Sequence, residues 1–374
     1  MTAGSRLRII SVVGARPNFV KLAPVAHALA RRAGVEHLIV HTGQHYDALM
    51  SDAFFADLEI PAPTVNLEVG SASHAKQTAA VMERFEDTCL ALEPDWVLVY
   101  GDVNSTAAAA LVAVKLGIKT AHVEAGLRSH DRSMPEEHNR IVADHLADLL
   151  FTPSRDAVAT LRGEGIPLER IEFVGNVMID TLIRLRGKAK GGAARLGLPE
   201  RGFVLVTLHR PGNVDDPAVL GTICQGLSAL ARERPVVFPV HPRTRQRLAE
   251  PALAQALAGV RLVDPVPYLD MLSLTESAAL VVTDSGGVQE ETTFLGVPCL
   301  TVRPNTERPI TVTEGTNRLV EPAEIVAAAR RALGDPRGAG PGSAGPRSAP
   351  VIERWDGKAG ERIAEVLCDG KQYK

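Results

Sequence analysis

Cysteine is scarce in this chain of 374 residues: Cys89, Cys224, Cys299 and Cys368 are all there is. They lie far apart and form no CxxC, which argues against a disulfide framework or a zinc–cysteine site. No block of five or more basic residues occurs and the net charge is −3, so a nucleic-acid partner is not expected. Long apolar runs are missing as well. The first, Ile9–Val13, is far too short for a signal or membrane segment and passes straight into Gly14-Ala15-Arg16-Pro17. These absences point to a cytoplasmic protein with no membrane contact. No GxGxxG follows a strand-like run, since Gly338–Gly342 is broken by proline, and no GxxxxGK[ST] is present. His41 and His45 have the spacing of zinc ligands, but HTGQH lacks the glutamate of HExxH. No cofactor and no metal is expected.

What remains has the make-up of an ordinary globular protein, 45% hydrophobic and 23% charged. The chain is longer than one core supports, so two domains are expected. Strand-like runs alternate with helix-like ones. Ile9–Val13, His37–His41, Asp95–Val99, Thr120–Glu124 and Leu149–Thr152 read as strands, and Leu22–Arg32, Thr106–Leu116 and Glu136–Leu146 as helices. A helix Met178–Arg186 and a polar connector Gly187–Arg195 follow. The alternation restarts with strands Phe203–Thr207, Val236–Val240, Arg261–Val263, Leu280–Thr283 and Leu300–Arg303, and with the helix Pro217–Arg232. Such alternation predicts an α/β protein of two doubly wound, Rossmann-like halves. Gly334–Pro350, rich in Gly, Pro and Ser, reads as a loop, and Gly357–Leu367 as a last helix.

In open α/β sheets ligands sit beyond the carboxyl ends of the strands, and the polar motifs fall at such ends. Ala279–Glu291 is the most telling: a buried strand, the turn Ser285-Gly286-Gly287, then helix formers from Val288 to Gly296. Free N–H groups at that helix start suit an anion, and Glu290 or Glu291 lies within reach of ribose hydroxyls. A tight turn whose acids complement the helix dipole explains the same residues. Arg16 and Lys21 follow the glycine turn after the first strand and suit a pyrophosphate. Asp102 and Glu124 end two strands, and Glu136 opens a helix. Carboxylates brought together there divide acid from base, whereas singly each reads as a cap or an ion pair. For Glu137 the structural role is preferred. His209 with Arg210, His241-Pro242-Arg243 and Arg303–Arg308 place cations at later strand ends, where a leaving diphosphate is neutralised.

GARPNFVK, GQHYD, GDVNST, HVEAGLR, MPEEHNR, LHRPGNVDD, TDSGGVQEE and TERP, in this order, resemble the UDP-N-acetylglucosamine 2-epimerases of the non-hydrolysing type, from about Ile9 to Leu319. The resemblance implies a GT-B-like architecture: residues 1–176 and 177–350 as two Rossmann-like domains, residues 355–374 packing back on the first, and the active site in the cleft between them. It implies UDP-N-acetylglucosamine as substrate, UDP-N-acetylmannosamine as product and a homodimer. The implied chemistry removes the C2 proton as UDP leaves C1, and re-adds UDP to the glycal with C2 inverted. C2 has no neighbouring carbonyl, so without transient oxidation its proton is removed only if the diphosphate departs. By motif, Asp102, Glu124, Glu136 and His209 are the implied catalytic residues. Arg16, Lys21, Arg140, Tyr268, Ser285, Gly286, Gly287, Glu291 and Arg308 are implied to bind the UDP-sugar, with Glu291 on the ribose and Tyr268 beside the uracil. Gln44, Arg210 and His241 are the implied allosteric residues.

The chain departs from that family's pattern in places. Pro211-Gly212-Asn213 stands where many relatives place an acidic residue, and Asp47 replaces a second glutamine after GQH. Ser71–His74 offers no arginine, so weak or absent activation by a second UDP-N-acetylglucosamine is expected. Three alternatives differ in chemistry. A hydrolysing epimerase releases free N-acetylmannosamine and UDP, a GT-B glycosyltransferase needs one base rather than clustered acids, and a nucleotide-sugar sensor has no need of Asp102 or Glu136.

Overall fold

The computed structural model describes residues 6–43, 55, 57–334 and 349–369, and for Arg16, Pro242 and Arg243 the backbone alone. The chain divides into two compact units, Met1–Arg184 with Glu353–Lys374, and Leu185–Ile352.

In the first unit, runs of Val, Ile, Leu and Ala form strands β1 (Leu7–Val13), β2 (Val35–His41), β3 (Val65–Asn66), β4 (Trp96–Tyr100), β5 (Lys119–Val123), β6 (Leu149–Thr152) and β7 (Ile171–Phe173). They pair in the order β3-β2-β1-β4-β5-β6-β7, every pair parallel. Helices α1 (Arg16–Ala30), α2 (His74–Leu92), α3 (Asn104–Lys115), α4 (Pro135–Leu146), α5 (Arg155–Gly163) and α6 (Val177–Arg186) supply the crossovers and the exit. Continuous burial of β4 and β6 follows from helices covering both sheet faces.

The second unit repeats the plan with β8 (Val204–Thr207), β9 (Val236–Pro239), β10 (Arg261–Val263), β11 (Leu280–Thr283), β12 (Cys299–Val302) and β13 (Asn317–Val320). Their order is β10-β9-β8-β11-β12-β13, again all parallel. Its longer helices are α7 (Pro217–Ala231), α8 (Tyr268–Ser277), α9 (Gly286–Leu295) and α10 (Ile325–Gly334). Pro217 opens α7, and the Asp216 carboxylate caps it by accepting from the amides of Ala218 and Val219. Val206, Ile223, Leu227, Phe238, Val282 and Ile325 lie in one core between sheet and helices.

Both sheets therefore follow the doubly wound order and reverse once, at β1/β4 and at β8/β11. Connections leave these two strand pairs toward opposite faces, which opens a crevice at their carboxyl ends. The candidate residues gather there.

The expected alternation holds, with ends shifted by a residue or two, and the structure adds elements. Helix α2 buries Val81, Phe85 and Cys89 at helical spacing, a narrow stripe easily hidden among its charged neighbours. Strands β7 (Ile-Glu-Phe) and β13 (Asn-Arg-Leu-Val) lie at sheet edges, where charged side chains are tolerated and no apolar run is needed. The polar connector contains a one-turn helix, Gly192–Arg195, and α9 starts at Gly286 rather than Val288. The division between units falls inside α6. Most of the Gly/Pro/Ser-rich segment, 335–348, lies outside the described residues.

The C-terminal helix, Ala359–Cys368, lies on α1 in the first unit, so closely that a Cβ on Gly360 would sit 2.5 Å from the Pro24 carbonyl. Its start is held from α6: the Asp180 carboxylate accepts from the Gly360 amide at 2.8 Å. Burial pushes the Asp180 carboxyl up to about 6, against the opposing effect of the Gly360 and Ala359 amides. A carboxyl whose folded value is raised contributes stability below its unfolded value and loses it as pH rises through about 6, so ionised Asp180 is a cost at neutral pH. Asp180→Asn is expected to raise the thermal midpoint at pH 7.5 by the equivalent of about 1–2 kcal/mol, and to lose most of that advantage by pH 4.5. Paired melts at the two pH values measure this; an equal effect at both would contradict it.

Candidate active site

The first unit's site begins in the turn after β1. The Asn18 side chain accepts from the amides of Gly14 (3.2 Å) and Ala15 (3.0 Å) and donates to the Tyr100 carbonyl at 2.9 Å, so it ties the loops after β1 and β4 together. One turn further along α1, Lys21 Nζ lies 2.7 Å from Glu124 Oε1, with side chains only 5% and 2% exposed. The lysine charge is thus committed to a buried carboxylate. Gly101 makes room for it: a Cβ there would sit 2.6 Å from Lys21 Nζ, and φ is +63°. Arg16 opens α1, and its side chain lies outside the described residues.

Glu124 leaves β5 in a left-handed conformation, φ +74°, a strained backbone for a residue with a side chain. The amides of Glu124 and Ala125 both donate to the Phe151 carbonyl. That bulged end turns Glu124 toward Lys21. Asp102 follows Gly101 and pairs with Arg140 Nη1. Arg140 also donates to Glu137 at 2.7 Å, and Glu137 accepts from the amides of Ser129 and His130. Glu137 therefore serves structure, as its sequence position suggested. Burial alone would raise its carboxyl; those bonds hold it below the ordinary value. Glu136 is half-buried near the start of α4 and engages no partner among the described residues. Of the two roles the sequence allows these acids, mutual coupling or an ion pair each, Asp102 and Glu124 show the ion pair, each with a cation of its own.

In the second unit the register Thr207↔Thr283 sets the residues after β8 beside those after β11. Asp284, fully buried, accepts from the amides of His209 (3.1 Å) and Arg210 (3.0 Å) and from Asn213 Nδ2 (3.0 Å). His209 Nδ1 lies 3.0 Å from Asp284 Oδ1, yet the imidazole is 57% exposed. A carboxylate only accepts, so Nδ1 carries the hydrogen and Nε2 faces outward. Burial would raise the Asp284 carboxyl, but the bonds from His209, Arg210 and Asn213 outweigh it and hold it below the ordinary value. Asp284 and Asn213 were not singled out from the sequence. The signal was there in the Asp of TDSGG, one residue past a strand adjacent to the one that leads into Leu208-His209.

Ser285 stands at the N-cap position of α9 without a side-chain capping bond, and the half-exposed Gly286 and Gly287 form its first turn. A Cβ on Gly286 would collide with the Arg308 guanidinium. Arg308 is buried between Glu307 and Glu290, and Arg303 and Arg210 face the same Glu307 carboxylate at 2.7 and 3.6 Å. Glu291, one residue beyond Glu290, accepts from the Tyr268 hydroxyl at 3.0 Å, so these two predicted nucleotide residues meet. Burial pushes Glu291 up to about 7, the Tyr268 hydroxyl opposes this and Glu290 adds to it. Of the allosteric candidates, Arg210 Nε donates to the Asp284 carbonyl at 3.1 Å, His241 is exposed, and Gln44 lies outside the described residues. Among the described residues no helix is long and apolar enough to cross a membrane.

Two doubly wound parallel units, with charged and hydrogen-bonding groups gathered at the reversal of each sheet, define an α/β protein of the GT-B-like class. The chain belongs to the UDP-N-acetylglucosamine 2-epimerase family, whose model matches residues 27–368. It is 39% identical to the UDP-N-acetylglucosamine 2-epimerase of Methanocaldococcus jannaschii, over 98% of this chain and all of that one. It is 43% identical to a UDP-2,3-diacetamido-2,3-dideoxy-D-glucuronate 2-epimerase of Pseudomonas aeruginosa, over 88% of this chain and 93% of that one. The crystal structure of the M. jannaschii enzyme in complex with UDP-GlcNAc and UDP superposes with a TM-score of 0.87 over 97% of this chain and 100% of that one, at 39% identity. That of the Neisseria meningitidis UDP-GlcNAc 2-epimerase bound to UDP-GlcNAc also gives 0.87 over 97% and 100%, at 29% identity.

Proposed function

We propose that the protein interconverts UDP-N-acetylglucosamine and UDP-N-acetylmannosamine by eliminating UDP to a glycal and re-adding it with C2 inverted. The observation that carries the reading is His209: exposed, held at Nδ1 by buried Asp284, and set by the pairing of β8 with β11 beside the glycine-rich start of α9. A donor or acceptor at Nε2 beside a row of free amides suits a diphosphate that departs and returns. The first unit supplies the proton chemistry. Asp102, Glu124 and Glu136 take and return the C2 proton, with Lys21 holding Glu124 and Arg140 holding Asp102. Arg16, Ser285, Gly286 and Gly287 bind the diphosphate, Arg308 shapes the loop behind them, and Glu291 with Tyr268 takes the ribose and uracil. No step calls for a cofactor. A homodimer belongs to the same reading, and light scattering measures it.

The likeness to the P. aeruginosa enzyme favours a second reading of the sugar, a 2,3-diacetamido uronate on the same UDP. Proton NMR in D2O, with each nucleotide sugar supplied separately and no cofactor added, tests both. Deuterium at C2 together with the 2-epimer, and little free UDP, is the expected result. Free N-acetylmannosamine with stoichiometric UDP would assign the protein to the hydrolysing type. Absence of exchange with either sugar would overturn the epimerase reading.

A further inference from the structure

Three successive carbonyls at the end of β4 are each held by side chains. The Tyr100 carbonyl accepts from Asn18 Nδ2 at 2.9 Å and from Thr106 Oγ1 at 2.8 Å. The Gly101 carbonyl accepts from His122 Nε2 at 2.7 Å. The Asp102 carbonyl accepts from Asn139 Nδ2 at 2.9 Å. The Tyr100 and Gly101 carbonyls are buried beyond the reach of water, so these side chains supply the partners they need. The two carbonyls flanking the Asp102 Cα are thus fixed from β5 and α4, while Arg140 fixes its carboxylate. Backbone on both sides of that Cα and the carboxylate itself are each held by a partner.

His122 is itself immobilised. It is fully buried, and Nδ1 lies 2.6 Å from Asp144 Oδ1. The other Asp144 oxygen accepts from the Gly126 amide at 3.1 Å and from Arg128 Nη1 at 2.7 Å. Arg128 in turn makes a two-bond fork to Glu164. Burial would raise the Asp144 carboxyl, but His122 and Arg128 hold it below its ordinary value. The same chain of contacts grips Gly126, two residues after Glu124, so one buried network touches the backbone beside both acids.

We propose that His122 and Asn139 are positioning residues for Asp102, acting through the carbonyls on either side of its Cα; this rests on Asp102 serving in the proposed reaction. His122 does not touch the substrate. It places Asp102 so that the carboxylate meets the C2 proton at a reactive distance, where an error near 1 Å costs about 100-fold in rate.

The two amides that mimic opposite ends of an imidazole separate this from a purely structural role. Glutamine at 122 places an N–H near the position of Nε2 and keeps the bond to Gly101; asparagine places one near Nδ1 and keeps only the bond toward Asp144. The prediction is that His122→Gln retains at least about 10-fold more kcat for C2 deuterium exchange than His122→Asn. Both are expected to keep KM near the wild-type value, as measured against equal amounts of folded protein by circular dichroism. Asn139→Ala, half-buried and safer for folding, is expected to lose about 10–100-fold in kcat with KM and thermal midpoint nearly unchanged. Equal kcat in the two His122 variants, or a loss that merely tracks their melting, overturns the proposal, as does an unimpaired Asn139→Ala. Absence of exchange by the wild type removes the reaction reading and the proposal with it; exchange by the wild type isolates the test to positioning.

Discussion

Asp284→Asn is expected to lower kcat for epimerisation by about 10³–10⁴-fold while leaving UDP affinity within a few-fold of wild type. Asp284 accepts from the backbone of His209 and Arg210 and from Asn213, and also receives His209 Nδ1–H. An asparagine keeps the shape and one acceptor. Its amide nitrogen, turned toward Nδ1, makes that atom an acceptor and moves the ring hydrogen to Nε2. His209 Nε2 would then only donate and could no longer take up and return a proton, and no carboxylate would support the charged ring beside the departing diphosphate, a change of tautomer with the geometry intact. His209→Asn, with the imidazole absent, should show a similar kcat deficit. Full activity of Asp284→Asn would mean that Asp284 serves only to hold the loop after β8.

Lys21→Met is expected to destabilise the first unit by about 3–5 kcal/mol, because it leaves Glu124 as a buried carboxylate with no cation. The pair is 2.7 Å apart and almost wholly excluded from water. The corresponding drop in thermal midpoint is on the order of 10 °C. Adding Glu124→Gln should restore most of that stability, since a neutral pair carries no uncompensated charge, without restoring turnover. By its place after the glycine turn, Lys21 suits a phosphate. A lysine that serves a phosphate raises KM on substitution and leaves the melt unchanged, so the melt of Lys21→Met decides between the two roles.

The two halves, their parallel sheets and the position of nearly every polar motif beyond a strand end were legible in the chain itself. A buried parallel strand needs a short run of Val, Ile, Leu and Ala. A crossover helix needs a longer periodic one, and the loop between them is free to carry chemistry, so the pattern of types sets the pattern of elements. Edge strands β7 and β13 escaped because an edge strand does not need that run. The contact between Tyr268 and Glu291, 23 residues apart, was not legible: the chain and the resemblance give the two only as separate candidates for the nucleotide.

Which cation meets which carboxylate was decided by the tertiary structure. Lys21 and Glu124 are 103 residues apart, and His209 and Asp284 are 75 apart. His209 and Asp284 follow β8 and β11, paired where the sheet order reverses, whereas Lys21 on α1 reaches Glu124 across β4, which lies between β1 and β5. Composition and spacing state that lysine, histidine and acids stand at strand ends. Register and the left-handed turn at Glu124 determine that Lys21 neutralises an acid instead of awaiting a phosphate, and that a buried aspartate orients His209. Charge pairing is short-ranged and depends on fractions of an ångström, whereas hydrophobic periodicity is a property of the chain alone.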